Sequence, residues 1–428
     1  MGLIEDKSAR RDQRGNIDPW YNTKGRNDGD NLVYLSVALN GACNIDCSFC
    51  YVDGSRPGQW NPDDLERVLG EARELGMEKI QLSGGEPTLY KHLFRIVEYL
   101  HNAGVETLLV TNGTTMMPDM AQRLHDNEVI VGISLESIVE EVDDGLTRSP
   151  GSFQKKMEAI RILKGVGYTE DIPLNIIVKT LKANQDTFLR TWQWALDNGL
   201  QPILDRAIPG PRLPIEDVMS PQDLRYVMDE IGKLQGVKHA IPFLYNEGCN
   251  RLECGVHIET NGDVLQCAGV KLPTTNVYQE SLVNAWRENK LLDGCKTHAE
   301  TIEGSCGSCD YAKICTGCRG VAYEIFGDVN APDPLCWHYD PNDGYSKKLD
   351  LSGDKPVVIG QDGKIILPHF LERLKAEKVP DYMDLKALRK IQRKEGPDAK
   401  SIVIGADGKI TLHPYLTEKH GTGMKSEG

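Results

Sequence analysis

Between Leu32 and about Arg206 the chain alternates between two hydrophobic rhythms. Short, nearly unbroken apolar runs stand at Leu32–Leu39, Lys79–Leu82, Glu106–Val110, Val129–Leu135, Leu174–Val178 and Ile203–Leu204. Such runs read as strands covered on both faces. Between them lie stretches with apolar residues at helical spacing, at about 61–75, 91–103, 117–127, 152–165 and 185–198; the first carries Leu65, Val68, Leu69, Ala72 and Leu75. Strand and helix alternating in this way predict parallel strands joined by right-handed crossovers. The expected fold class is α/β, a partial (β/α)6 TIM-like barrel rather than a full eightfold one.

A Pro-rich stretch from Ile208 to Pro214 marks the end of this pattern, and a helical segment follows at about 221–236. From Cys249 to Cys336 long periodic segments are scarce and cysteines frequent, as expected where metal ligands replace a large core. Within it, His257 to Cys267 reads as a hairpin around Asn261-Gly262. Near the C-terminus, Val357 to Leu371 returns as Ile402 to Leu416. Each copy reads as strand, Asp-Gly turn, strand, and the copies are expected to pair with each other or to flank the helical stretch between them. A structural appendage and a substrate-docking or dimerisation element are both open readings. The predicted organisation is an N-terminal extension (1–31), a barrel (32–220), linker helices (221–248), a cysteine-rich domain (249–340) and a C-terminal extension with the repeat (341–428).

Length and charge narrow the picture. At 428 residues two or three domains are expected, and 40% apolar with 26% charged residues is ordinary for a soluble protein. No segment approaches the ~20 apolar residues that cross a bilayer. The charged start MGLIEDKSARRDQR lacks an apolar signal core, so a cytoplasmic location and no membrane partner are expected. A net charge of −14 speaks against a nucleic-acid partner. Twelve cysteines in such a chain point to metal or cluster ligands, because cytosolic thiols stay reduced.

The chemistry centres on Cys43, Cys47 and Cys50, spaced Cys-x3-Cys-x2-Cys directly after the first strand. Three thiolates on one loop can hold three corners of a cubane iron–sulfur cluster and leave one iron open. A zinc site is the competing reading, although zinc sites usually pair Cys-x2-Cys units. After the second strand comes Gly84-Gly85-Glu86-Pro87, whose glycines let backbone approach a ligand closely. The loop, with Tyr51 after its last cysteine, and this Gly-Gly-Glu-Pro element together resemble the radical S-adenosylmethionine superfamily. The resemblance implies that the Gly-Gly-Glu-Pro element binds the amino group of S-adenosylmethionine. It suggests Asn112 after the third strand as a cofactor contact, and Ser134 and Glu136 at the end of the fourth as ribose contacts, with ordinary barrel-rim polar residues as the alternative. Arg148 is a candidate partner for the carboxylate, with a solvated surface role as the alternative; Arg206 is a weaker one. The implied reaction is reductive cleavage to a 5′-deoxyadenosyl radical that abstracts a substrate hydrogen.

The second cysteine set is Cys249, Cys254, Cys267, then Cys306-x2-Cys309-x5-Cys315-x2-Cys318, then Cys336. It resembles the SPASM extension of radical S-adenosylmethionine maturases, which implies two auxiliary [4Fe-4S] clusters and three clusters in all. By the family's order, Cys249, Cys254, Cys267 and Cys318 would ligate one, and Cys306, Cys309, Cys315 and Cys336 the other. The last central spacing is x2 where the family usually has x3, and Cys295 is left over. A zinc ribbon over Cys306 to Cys318, and one lost or incomplete cluster, are the alternatives.

For the substrate, the resemblance favours oxidative modification of a peptide or protein side chain. A small metabolite such as a sugar, aminocyclitol or tetrapyrrole is the alternative, and a non-catalytic iron–sulfur carrier a third. Ala268 stands where sulfatase maturases carry Asp, which argues against that reaction. The segment before Cys43 is too short for the peptide-recognition domain of many peptide-modifying members, which is then absent or a separate protein. An electron donor such as a flavodoxin or ferredoxin is implied. Asp205 is a candidate base at the barrel mouth, with barrel-rim salt bridging as the alternative.

Overall fold

The computed structural model describes residues 31–51, 58–168, 171–236, 238–239, 241–242, 254–289, 292, 298–312, 315–343 and 345, and the backbone of four short strands between 358 and 411. The expected α/β barrel pattern is present. β1 (Tyr34–Ala38), β2 (Lys79–Ser83), β3 (Glu106–Thr111), β4 (Ile130–Ser134), β5 (Leu174–Lys179) and β6 (Gln201–Asp205) pair in sequence order, all parallel. Helices α1 (Pro62–Glu74), α2 (Leu93–Asn102) and α3 (Pro118–Asp126) link the first four strands. An unanticipated helix, α4 (Glu140–Thr147), precedes α5 (Ser152–Gly165), and α6 (Gln185–Asp197) and α7 (Pro221–Gln235) follow. Local chemistry sets these boundaries. The Asn61 side chain accepts from Asp63 N ahead of Pro62, and Ser220 does the same for Asp223 N ahead of Pro221. α7 ends at Gly236 in the left-handed region (φ 70°).

Side-chain alternation divides each strand between two cores. Leu35, Val37, Ile80, Leu82, Ile176 and Val178 face the helices and join the main core with Leu65, Leu69 and Trp192. The opposite rows face the barrel interior, where Tyr34, Leu108 and Ile130 form a separate apolar floor. Above that floor the inward positions turn polar, beginning with Ser36, whose Oγ lies 3.0 Å from His257 Nδ1.

His257 belongs to a strand that continues the barrel. β7 (Gly255–Ile258) pairs parallel with β1, and β8 (Asp263–Leu265) and β9 (Pro273–Asn276) follow antiparallel. The result is one nine-stranded sheet in the order β6-β5-β4-β3-β2-β1-β7-β8-β9. The expected hairpin around Asn261-Gly262 is therefore present, with Gly262 at φ 85°, and its first arm closes the free edge of β1. α8 (Leu282–Glu288) is fastened to α1 by Leu282 N donating to Glu71 Oε2 (2.6 Å). α9 (Arg319–Phe326) runs through the cysteine-rich segment and stops at Gly327.

Each copy of the C-terminal repeat pairs within itself rather than with the other: β10 (Val358–Ile359) with β11 (Ile365–Ile366), and β12 (Val403–Ile404) with β13 (Ile410–Thr411), both antiparallel. Among the described residues no helix is long and apolar enough to cross a membrane.

Candidate active site

The cysteine loop runs over the mouth of the barrel from the end of β1 and is tied down on two sides. On the β2 side, Leu39 N donates to Ser83 O (2.8 Å), Gly85 N to Asn40 O (2.8 Å) and Glu86 N to Ala42 O (2.7 Å), while Asn40 Nδ2 reaches Glu86 O (2.9 Å). On the other side, Asp46 N donates to Thr147 O (3.2 Å) and Ser48 N to Leu146 O (2.9 Å). The loop thus satisfies carbonyls left open at the end of α4. The Gly84-Gly85 pair is explained by contact: a Cβ at Gly84 would stand 2.5 Å from Asn40 O, and one at Gly85 2.3 Å from Ala42 O. Gly85→Ala is expected to force the two loops apart and cost about 1–3 kcal/mol. An unchanged denaturant midpoint would show that the loops part freely.

Glu86 has a structural use that its motif did not suggest. Its side chain is buried, and its carboxylate accepts from Thr88 N (3.0 Å), Thr111 Oγ1 (2.6 Å) and Asn112 N (2.8 Å). It clamps the end of β2 to the end of β3, leaving backbone to face the mouth. Pro87 begins a single 3₁₀ turn, Pro87–Leu89. Asn112 bridges to the cysteine loop: Nδ2 donates to Asn44 Oδ1 (2.9 Å) and lies 3.9 Å from Cys43 Sγ.

The three thiols are electrostatic neighbours. Burial, opposed by Lys156 and assisted by Glu136, Cys50 and Cys43, pushes the Cys47 thiol up to about 12. Among the described residues no group of three His, Cys, Asp or Glu side chains has the spacing for one metal ion. Thiolates of a cubane bind separate irons and stand farther apart than ligands of a single ion. The donor set of this loop fits such a cluster.

Ser134 closes β4, half-buried. Glu136, two residues on, is buried, and its Oε2 accepts from Lys179 N (2.7 Å). Burial, opposed by Lys179 and Lys156, raises its carboxyl to about 7. The Glu136 N–H donates to Asp143 Oδ1 (2.9 Å), and Asp143 holds Lys156 at 2.8 Å in a fully enclosed ion pair. Arg148, in the left-handed region at φ 50°, lies 3.8 Å from Asp46 of the cysteine loop, and Arg212 pairs with the same carboxylate. Cys43, Cys47, Cys50, Gly84, Gly85 and Asn112 are thus brought together. Glu136 and Arg148 flank them.

Other mouth residues escaped the sequence reading. Lys179 at the end of β5 pairs with Asp205 at the end of β6. Lys271 pairs with Glu259 (2.7 Å), which also faces His257 (3.8 Å). Both ammonium groups lie over Tyr51, 5.8 and 5.3 Å from the ring centre. A charge closing the apolar run of β5 was the available signal for Lys179. Glu259 and Lys271 had none, since β7 pairs far along the chain.

In the cysteine-rich segment, backbone N–H groups point at sulfur: Gly269 to Cys267 (3.2 Å), Asp333 to Cys306 (3.3 Å), Tyr311 to Cys309 (3.5 Å), Gly317 to Cys315 (3.4 Å) and His338 to Cys336 (3.4 Å). Burial pushes the Cys315 and Cys318 thiols up to about 12. Beyond burial, Cys267 acts on Cys318, Cys309 on Cys306, and Cys306 on both Cys315 and Cys336. Two neighbourhoods emerge, one around Cys267 and Cys318, the other around Cys306, Cys309, Cys315 and Cys336. Cys254 is buried; Cys249 and Cys295 lie outside the described residues.

Residues 37–195 match the model of the Radical SAM superfamily. This stretch is a radical SAM domain, and the match implies an enzyme that uses S-adenosylmethionine and a [4Fe-4S] cluster. It is 24% identical over 337 residues to an AdoMet-dependent heme synthase of Methanosarcina barkeri, covering 71% of this chain and 95% of the relative. It is 25% identical over 341 residues to the mycofactocin maturase MftC of Mycobacterium tuberculosis, covering 72% and 83%. In fold it is similar to Streptococcus suis SuiB bound to S-adenosylmethionine (TM-score 0.59, 19% identity, 72% of this chain and 78% of that one). It is also similar to anSMEcpe with bound AdoMet (TM-score 0.54, 16% identity, 85% and 100%).

Proposed function

We propose that the chain is a maturase that oxidatively modifies a peptide or protein side chain by radical S-adenosylmethionine chemistry. The observation that carries the reading is the cysteine loop stitched to Gly84-Gly85 at the barrel mouth. When bound, the cluster supplies the electron that cleaves S-adenosylmethionine to the 5′-deoxyadenosyl radical, which removes a substrate hydrogen atom. Cys43, Cys47 and Cys50 would hold three of its irons. Backbone at Gly84 to Pro87 would accept from the amino group, Ser134 and Glu136 would bind the ribose, and Arg148 would meet the carboxylate. Asn112, joined to Asn44, would brace the loop. The polar mouth formed by Lys179, Asp205, Glu259 and Lys271 around Tyr51 would receive the substrate on the side of β5 to β8.

Two auxiliary [4Fe-4S] clusters complete the reading, on Cys249, Cys254, Cys267 and Cys318 and on Cys306, Cys309, Cys315 and Cys336. The N–H groups aimed at five of these sulfurs, and the two neighbourhoods, support it. A peptide substrate is supported by the likeness to a mycofactocin maturase and to SuiB, which has been seen with its precursor peptide SuiA. The heme-synthase likeness, over 95% of that relative, supports a second reading, a tetrapyrrole or other small metabolite. Flavodoxin or ferredoxin would supply electrons, in the cytoplasm.

Anaerobically reconstituted protein with dithionite and S-adenosylmethionine should release 5′-deoxyadenosine and hold about twelve irons per chain. No 5′-deoxyadenosine from iron-loaded protein would refute the enzyme, and about four irons would refute the auxiliary clusters. Mass spectrometry of candidate peptides and of tetrapyrroles after turnover separates the two substrate readings.

A further inference from the structure

Arg206 follows β6 directly, one residue after Asp205 at the barrel mouth, yet its guanidinium turns away and is buried against the cysteine-rich segment. There NH1 reaches Asp333 Oδ2 (2.6 Å) and NH2 donates to Leu335 O (3.2 Å). Asp333 has no exposed surface. Its Oδ2 also accepts from Cys318 N (2.9 Å), its Oδ1 accepts from Leu335 N (3.0 Å), and its own N–H donates to Cys306 Sγ (3.3 Å). One enclosed aspartate thus touches a cysteine of each neighbourhood, Cys318 through its carboxylate and Cys306 through its own N–H, and one cation from the barrel neutralises it. Docking alone would need no contact with both cysteine sets. The nearby Arg319 donates through NH1 to the carbonyls of Val329 and Ala331, while its NH2 lies 3.9 Å from Cys306 Sγ, so it faces one cysteine set and not the carboxylate that joins the two.

We infer that the Arg206–Asp333 pair sets the reduction potential of the auxiliary clusters, with both residues acting as positioning groups rather than ligands. The inference rests on the auxiliary-cluster reading. Reduction adds negative charge to a cluster, so an uncompensated carboxylate beside its ligands disfavours it and an uncompensated guanidinium favours it, strongly so in a dry site. Two backbone donors, Cys318 N and Leu335 N, hold the Asp333 carboxylate in place when the arginine is removed. The two single changes therefore act with opposite sign, which a docking contact would not produce.

The test is an EPR-monitored redox titration of the anaerobically reconstituted full chain. In R206Q the auxiliary signals should need a lower potential for half-reduction. A tenfold fall in the reduced-to-oxidised ratio at fixed potential corresponds to about 59 mV for a one-electron couple. D333N should shift them upward, R206K should stay near the wild type, and R206Q with D333N together should return towards it. The signal of the cluster on Cys43, Cys47 and Cys50 should not move. Each single variant carries its own sign, so either one alone decides if the other does not load iron. Loaded variants with unmoved potentials, or shifts of the same sign, overturn the inference. Wild-type protein holding only one cluster's iron refutes the auxiliary clusters themselves, a separate outcome.

Discussion

Cys47→Ala will abolish release of 5′-deoxyadenosine, lowering it by more than ~100-fold, the upper range for changes that only touch a metal ligand from outside. Iron should fall by about four per chain, with the auxiliary clusters retained. The loop leaves little room for compensation. Its path is fixed by backbone bonds to Ser83, Gly85, Glu86, Leu146 and Thr147, none of which involves a thiol. Alanine therefore leaves the loop in place and removes only the ligand, so unchanged far-UV circular dichroism should accompany the loss. Among the described residues the other cysteines sit in the separate segment from Cys254 onward. Cleavage of S-adenosylmethionine at the wild-type rate would sink the assignment of this loop.

Lys156→Met is expected to be the most destabilising single change in the barrel, by about 3–5 kcal/mol. Both partners of the Lys156–Asp143 pair are enclosed, with 1% and 0% of the side chain exposed. Removing the ammonium strands a carboxylate that also anchors Glu136 N. Lys156→Met with Asp143→Asn should recover most of the loss, because an amide oxygen still accepts from Glu136 N and no lone charge remains. The urea transition of the two variants measures this. A loss below about 1 kcal/mol in the single variant would show that water reaches the pair.

Much of the barrel was legible because burial on both faces writes strands as apolar runs and leaves helices a single stripe. The runs at Leu32–Leu39 and Leu174–Val178 became β1 and β5 almost as drawn. α4 was hidden, since Glu140-Glu-Val-Asp-Asp-Gly-Leu-Thr147 has only Val142 and Leu146 to mark a face and an interior glycine. β7 was legible as an arm of a hairpin but not as a barrel strand. Its pairing with β1 is between residues remote in the chain, and its inward His257 faces a polar interior. The cysteine loop and the glycine pair were visible from residue type and spacing. The clamp made by Glu86 was not, because only the fold shows that its carboxylate turns inward to Thr111 and Asn112. The Lys156–Asp143 pair is likewise a product of packing between α4 and α5, with no local signature.

The strand pairing at Tyr34–Gly255 also bears on how the molecule is made. β1 emerges early from the ribosome, but the partner for its outer edge is among the last barrel residues to be synthesised. At ~5–20 residues per second that edge stays bare for on the order of 10–40 s, a row of open amide and carbonyl groups that any passing nascent strand can zip onto. Protection of that edge during synthesis thus bears on how much of this chain reaches the native state in a cell making it rapidly.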